Sequence, residues 1–196
     1  MFIKQRLALT GLLAAFALAA LPASATPLNL DMVDAPDIAS FGIGFSYDAA
    51  SDIFSATGTA LTVENPLGIS TDILGVFSLD AEIDDTGALI GGSFSIMDLL
   101  TLDTLIEGAL VDFGFAGSTF EFLFAVGGGT LAADFGDFGG ILMTDLSFGL
   151  ADFSANFANG NNAVADTAAL RASEPGILLL QALGLTMLLL ARRRRA

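Results

Sequence analysis

The sequence predicts an all-β protein, an antiparallel β-sandwich or small β-barrel, set between an N-terminal signal peptide and a C-terminal transmembrane helix. Three observations predict it. The middle of the chain alternates apolar and polar residues with period two, the repeat of a half-buried strand. Turn-forming residues separate the alternating runs so closely that no helical crossover fits between them, which makes the strands antiparallel. Both ends break this pattern with apolar runs flanked by basic residues, Lys4 and Arg6 at the start and Arg192, Arg193, Arg194 and Arg195 at the finish.

At 196 residues the chain holds one domain plus processing segments. The first element is residues 1–25. Lys4 and Arg6 form a basic start, Leu7 to Leu21 is an apolar run, and Pro22 breaks it. Ala23-Ser24-Ala25 then fits the small-x-small rule for signal peptidase, so cleavage is expected after Ala25.

The β-rich extracytoplasmic domain is expected over 26–158. Eight strands are predicted, at 41–48, 52–63, 74–84, 88–97, 104–115, 118–127, 139–149 and 150–157. "FGIGFSYD" places Phe41, Ile43, Phe45 and Tyr47 on one face. "VFSLDAEID" alternates Phe77, Leu79, Ala81 and Ile83 with Ser78, Asp80, Glu82 and Asp84. "TFEFLFAV" groups Phe120, Phe122, Phe124 and Val126. "YDAASD" and "DDTG" read as hairpin connections, and "VGGGT" and "DFGDFGG" as further breaks. The stretch 97–110 also has the composition of a short helix. Residues 159–172, rich in Asn and free of aromatic residues, read as a linker.

The last element begins at Gly176. Ile177 to Ala191 is apolar apart from Gln181 and Thr186, and runs on through Leu190 to the arginines. As a helix it would be roughly 22 Å long, short for a hydrocarbon core of about 30 Å. Gly176 and the stem of Arg192 extend the membrane anchor. The four arginines would stay cytoplasmic, which leaves the body outside. A core helix would need a polar face, and this run has none.

Ser173-Glu174-Pro175, an apolar helix and a terminal arginine cluster together resemble the PEP-CTERM sorting signal, over residues 173–196. Ser173 stands where that motif has its first proline; Glu174 and Pro175 match. The resemblance implies recognition by an exosortase-type membrane protease, with the cut at this motif. It further implies cargo of bacteria that make an exopolysaccharide or biofilm matrix. The localisation expected is export across the inner membrane, transient anchoring, then the cell surface or extracellular space. "SYDAASDIFSATGTALTV" and "GALIGGSFSI" loosely resemble other bodies of this family, and that likeness implies no activity.

Composition excludes several chemistries. From Thr26 to Ser173 there are 21 acids against one arginine, a net charge of −20, so nucleic acid is not an expected partner. There is no cysteine and no histidine, which removes disulfides, thiolate nucleophiles and the histidine-based triads. Asp112-Phe113-Gly114, Asp134-Phe135-Gly136 and Asp137-Phe138-Gly139 each spell a kinase tripeptide, but the body lacks the lysine and histidine that the kinase mechanism needs. "VGGGT" lacks the strand–GxxxxGK–helix context of a phosphate cradle. An outer-membrane barrel would carry girdles rich in Trp and Tyr, and the chain has no Trp and one Tyr.

Two carboxylate readings remain. Asp80, Glu82 and Asp84 share a strand face at i, i+2 spacing of about 7 Å, within the range of an inverting glycosidase pair. Asp80, Glu82, Asp84 and Asp85 could instead offer oxygen ligands to calcium. The plainer reading of both is a solvated face and a hairpin turn. No cofactor is expected on this reading. The function expected is non-enzymatic: a structural or adhesive component of a surface or matrix. A calcium- or carbohydrate-binding module and a carboxylate-dependent glycan hydrolase are the alternatives.

Overall fold

The computed structural model describes residues 26–171. The expected signal peptide, including Ala23 and Ala25, and the expected sorting tail from Ser173 to Ala196 lie outside the described residues. So do the sorting motif, the apolar run and the arginines.

The chain forms β1 (Met32–Asp48), β2 (Ile53–Glu64), β3 (Ser70–Ile83), β4 (Leu89–Asp98), β5 (Thr104–Ala116) and β6 (Thr119–Gly128). A single-turn helix, α1 (Ala132–Phe135), precedes β7 (Phe138–Thr144), the two-residue β8 (Phe157–Ala158) and β9 (Ala163–Leu170). Neighbours in sequence pair antiparallel from β1 to β7; β9 then pairs with both β7 and β1. The result is a closed eight-stranded barrel, not a sandwich. β8 lies outside the ring, beside the end of β1.

Closure follows from the side-chain pattern. Phe77, Leu79, Ala81 and Ile83 of β3 point inward, as do Phe54 and Ala56 of β2 and Phe120, Phe122 and Phe124 of β6. An eight-stranded barrel is just wide enough for side chains to fill. Here phenylalanine fills it: Phe54 meets Phe120 and Phe122 at 5.6 and 5.7 Å between ring centroids, and Phe94 meets Phe124 at 4.9 Å. Such tilted pairs satisfy the ring quadrupoles and add to the gain from burial. Outward positions carry Ser55, Thr57, Thr59, Ser78, Asp80 and Glu82. Phe41, Ile53, Leu61, Ile90 and Val111 are also exposed on the outer wall; the apolar interior contrasts with the polar interior of a membrane barrel. Among the described residues no helix is long and apolar enough to cross a membrane.

The two mouths differ. At the basal end the chain enters at Met32 and leaves at Leu170, which pair with each other, and the Arg171 N–H donates to the Asp31 carbonyl at 2.9 Å. The β2–β3 and β4–β5 turns share this end, and Phe135 of α1 packs against Phe124 there. At the apical end the segment between β7 and β9 folds across the mouth. Its Phe148 packs on Phe45 at 5.0 Å, Phe153 on Tyr47 and Phe113 at 4.9 and 5.6 Å, and Phe157 on Tyr47 at 5.2 Å between ring centroids.

Several sequence expectations are corrected. Residues 159–172 are not a linker: β9 occupies 163–170 and closes the barrel. Its inward residues are Ala163, Ala165, Thr167 and Ala169, so the alternation carries almost no hydrophobic contrast. The domain therefore does not stop at 158. The strand expected at 150–157 is the apical plug, with only Phe157–Ala158 in strand form. The strand expected at 139–149 ends at Thr144. The alternative helix in 97–110 is instead the end of β4, a turn at 99–103 and the first half of β5; in the turn the Asp98 carboxylate accepts the Leu100 N–H at 2.8 Å, and Leu102 adopts φ 61°. Helix α1 was not expected.

Candidate functional site

The apical end gathers most of the polar machinery. Asp145, at the start of the plug, is covered to 1% exposure. Its Oδ1 accepts the Ser147 N–H and hydroxyl at 2.8 and 2.6 Å, and its Oδ2 accepts from Asn159 Nδ2 at 2.9 Å. Asn159, at the far end of the plug, also donates Nδ2 to the Ile43 carbonyl and accepts the Phe45 N–H on Oδ1 at 2.7 Å. Both ends of the plug are thereby fastened to each other and to β1. β1 needs this partner because its pairing with β9 stops at Ile43. Burial opposes ionisation of Asp145, but the hydrogen bonds from Ser147 and Asn159 outweigh it and hold its carboxyl below the usual value.

Beside the plug, an open cleft of about 720 Å³ lies over β1, β2 and β8. Ser46, Asp48, Ser51, Ser55 and Asn156 supply its polar groups. Asp48 accepts the Ala50 N–H at 3.0 Å and the Ser51 hydroxyl at 3.1 Å, while Asn156 accepts the Ala49 N–H at 2.8 Å. Tyr47 lines the inner side. Its hydroxyl donates to the Ile83 carbonyl at 2.8 Å and lies 3.2 Å from Asp52 Oδ1. Burial, helped by the charge of Asp52, pushes the Tyr47 hydroxyl up to about 12.

The sequence-predicted carboxylates flank this cleft without forming a centre. Asp80 and Glu82 face outward on β3, opposite Ser55 and Ile53 of β2. Asp80 Oδ1 accepts the Ser55 hydroxyl at 2.7 Å. Asp84 folds back on its own turn: its Oδ1 accepts from Thr86 N, Thr86 Oγ1 and Ala88 N at 2.9, 2.6 and 3.0 Å. The Thr86 hydroxyl, then the Ala88 N–H, lower its carboxyl below the ordinary value. Asp85 is exposed at the turn tip. Among the described residues no group of three or more carboxylates is placed to hold a metal ion. The glycosidase pair gains no enclosed aromatic site here, since the two acids stand on the outer wall.

Sequence reasoning missed Asp145 and Asn159. A signal was present: Asp84-Asp85-Thr86, Asp145-Leu146-Ser147 and Asp152-Phe153-Ser154 share the Asp-x-Ser/Thr spacing of a side-chain-closed turn. The partner Asn159 has no local signal, because it meets β1 across 114 residues of sequence.

A second feature lies on the outer wall. Residues Thr26 to Asp31 form a strap across β5, β6 and β7. A Cβ at Gly114 would meet the Thr26 carbonyl and Leu28 N, and a Cβ at Gly140 would meet Leu30 Cδ1 at 3.0 Å. Between them the Glu121 carboxylate accepts the Asn29 N–H at 3.0 Å. Nearby on β9, burial raises the Asp166 carboxyl, and Asp166 Oδ1 has no hydrogen-bond partner. The buried hydroxyls of Ser40 and Thr167 are also without one.

Models of known protein families, curated proteins and solved structures all give no match to this chain.

Proposed function

We propose that the chain is an exported, non-enzymatic structural or adhesive component of a cell surface or extracellular matrix, released by processing at both ends. The observation that carries this reading is the described barrel itself, apolar within and acidic without. A phenylalanine-filled interior and an acidic outer wall suit a durable, soluble body of high negative charge. Signal peptidase and an exosortase-type protease are its proposed processing partners, and an exopolysaccharide its proposed surroundings.

The test is the intact mass and C-terminal peptide of the protein from its native host. An end near Ser173 or Glu174 supports the reading, and added mass would point to attachment. An intact Arg192–Ala196 end in the membrane fraction would overturn it.

The apical cleft favours a second reading, a binding module. Ser46, Ser51 and Asn156 present the kind of groups that pair with carbohydrate hydroxyls. A melting temperature that rises with glycan, or with calcium beyond magnesium at equal ionic strength, would select this reading.

A further inference from the structure

The basal turns carry the larger cluster of exposed apolar side chains on this acidic body; the apical plug exposes Leu146 and Leu150. Leu67 and Ile69 of the β2–β3 turn are 82% and 57% exposed. Leu99, Leu100 and Leu102 of the β4–β5 turn are 43%, 75% and 72% exposed. Exposed turns ordinarily favour polar residues, as the apical β1–β2 and β3–β4 turns do with Asp48, Ser51, Asp84 and Thr86. Because β3 and β4 are adjacent, these two turns are neighbours, and the Leu99 N–H donates to the Leu74 carbonyl at 2.8 Å. Leu74, itself exposed, extends the patch up the wall. The tips are uncharged: no acid lies between Glu64 and Asp72, or between Asp98 and Asp103. A cluster of this kind marks a contact surface.

Chain connectivity says what it faces. The chain leaves the barrel at Leu170 on this same end. Five residues separate Arg171 from Ile177, where the apolar run starts. Fully extended, they reach at most about 20 Å at roughly 3.3–3.6 Å per residue. The two turns lie two to four strands from β9, on the order of 10–20 Å at about 4.8 Å per strand. A tail held in a bilayer therefore keeps these leucines near its surface.

We propose that the basal turns seat Leu67, Ile69, Leu99, Leu100 and Leu102 in the headgroup–acyl boundary of the membrane, so that the tethered barrel stands on its basal end. This rests on the reading that Ile177–Ala191 is membrane-embedded. A second copy is the less favoured occupant, because two bodies of charge −20 repel. The acids flanking the tips favour zwitterionic over anionic lipid.

The chain has no cysteine, so single labels are straightforward. The chain, exported through its own leader and purified with its tail, is reconstituted in phosphatidylcholine–phosphatidylethanolamine vesicles. It carries an environment-sensitive fluorophore at Leu67→Cys, Leu100→Cys, Ala50→Cys or Leu183→Cys. Spin-labelled lipids are the quenchers. Quenching of positions 67 and 100 by shallow spin labels, of 183 by deep ones and of 50 by neither is the expected result. Quenching at 183 without quenching at 67 and 100 overturns the basal contact while the anchored tail stands. Absence of quenching at all four positions overturns both. Self-quenching at 67 and 100 that grows with protein density, without lipid quenching, assigns the patch to a second copy and overturns the proposal.

Discussion

Asn159 shows how much one side chain can organise. It satisfies the Phe45 N–H, the Ile43 carbonyl and the Asp145 carboxylate together. Asn159→Ala would leave these groups unpaired beneath the plug and is expected to cost about 2–4 kcal/mol of stability, read from denaturant melts. Asp166 behaves oppositely. Its carboxyl is raised by burial, so the folded state holds its proton more tightly than the unfolded chain, and its ionisation lowers stability as pH rises above the ordinary value. Asp166→Asn is therefore expected to raise the melting temperature at neutral pH, with the gain vanishing toward about pH 3, where both states are protonated. A gain independent of pH would show that charge is not the cause. Asp145 runs the other way: its carboxyl is lowered, so its contribution is lost as pH falls below the ordinary carboxylate range.

At the scale of elements, the strap and the plug are the parts that alternation does not describe. The strap needs bare backbone beneath it. Gly114→Val would drive a side chain into the Thr26 carbonyl and Leu28 and is expected to cost about 1–3 kcal/mol. Amide exchange at Leu28, Asn29 and Leu30 should quicken while β2 and β3 keep their protection; unchanged exchange in the strap would contradict the described packing. The second half of β1 and the strands from β2 to β6 were legible because Phe, Leu and Ile alternate with Ser, Thr and Asp; residues 32–40 of β1, with Pro36 in their midst, were not. β9 was not, because Ala alternating with Val and Asp reads as a tether. The plug reads as a strand in sequence because Phe153 and Phe157 suggest a buried run, but the Asp152–Ser154 turn breaks the ladder.

For the whole molecule, charge and core act against each other. The single base of the described residues, Arg171, lies 3.6 Å from Asp31, and most of the acids of the described residues lie on the surface. Raising sodium chloride from about 20 to about 300 mM is expected to raise the melting temperature by a few degrees at neutral pH, through screening of that repulsion. A flat or falling response would mean that the turn hydrogen bonds already neutralise it. The same charge opposes the approach of separate barrels, which expose leucine at the base and, through Leu146 and Leu150, on the apical plug.

The sequence by itself determined the class of structure, the second half of β1 and the strands from β2 to β6, because period-two burial is a local property that each strand writes into its own residues. It also determined the absence of thiol and imidazole chemistry, which is a matter of inventory. Barrel rather than sandwich, the identity of the closing strand, the plug fastened by Asp145 and Asn159, and the gathering of leucines at the end where the chain departs were decided only in three dimensions. Each depends on contacts between residues far apart in the chain, such as Ile38 with Thr167 across β1 and β9. No local pattern records such a partner, since what selects it is the filling of one shared interior.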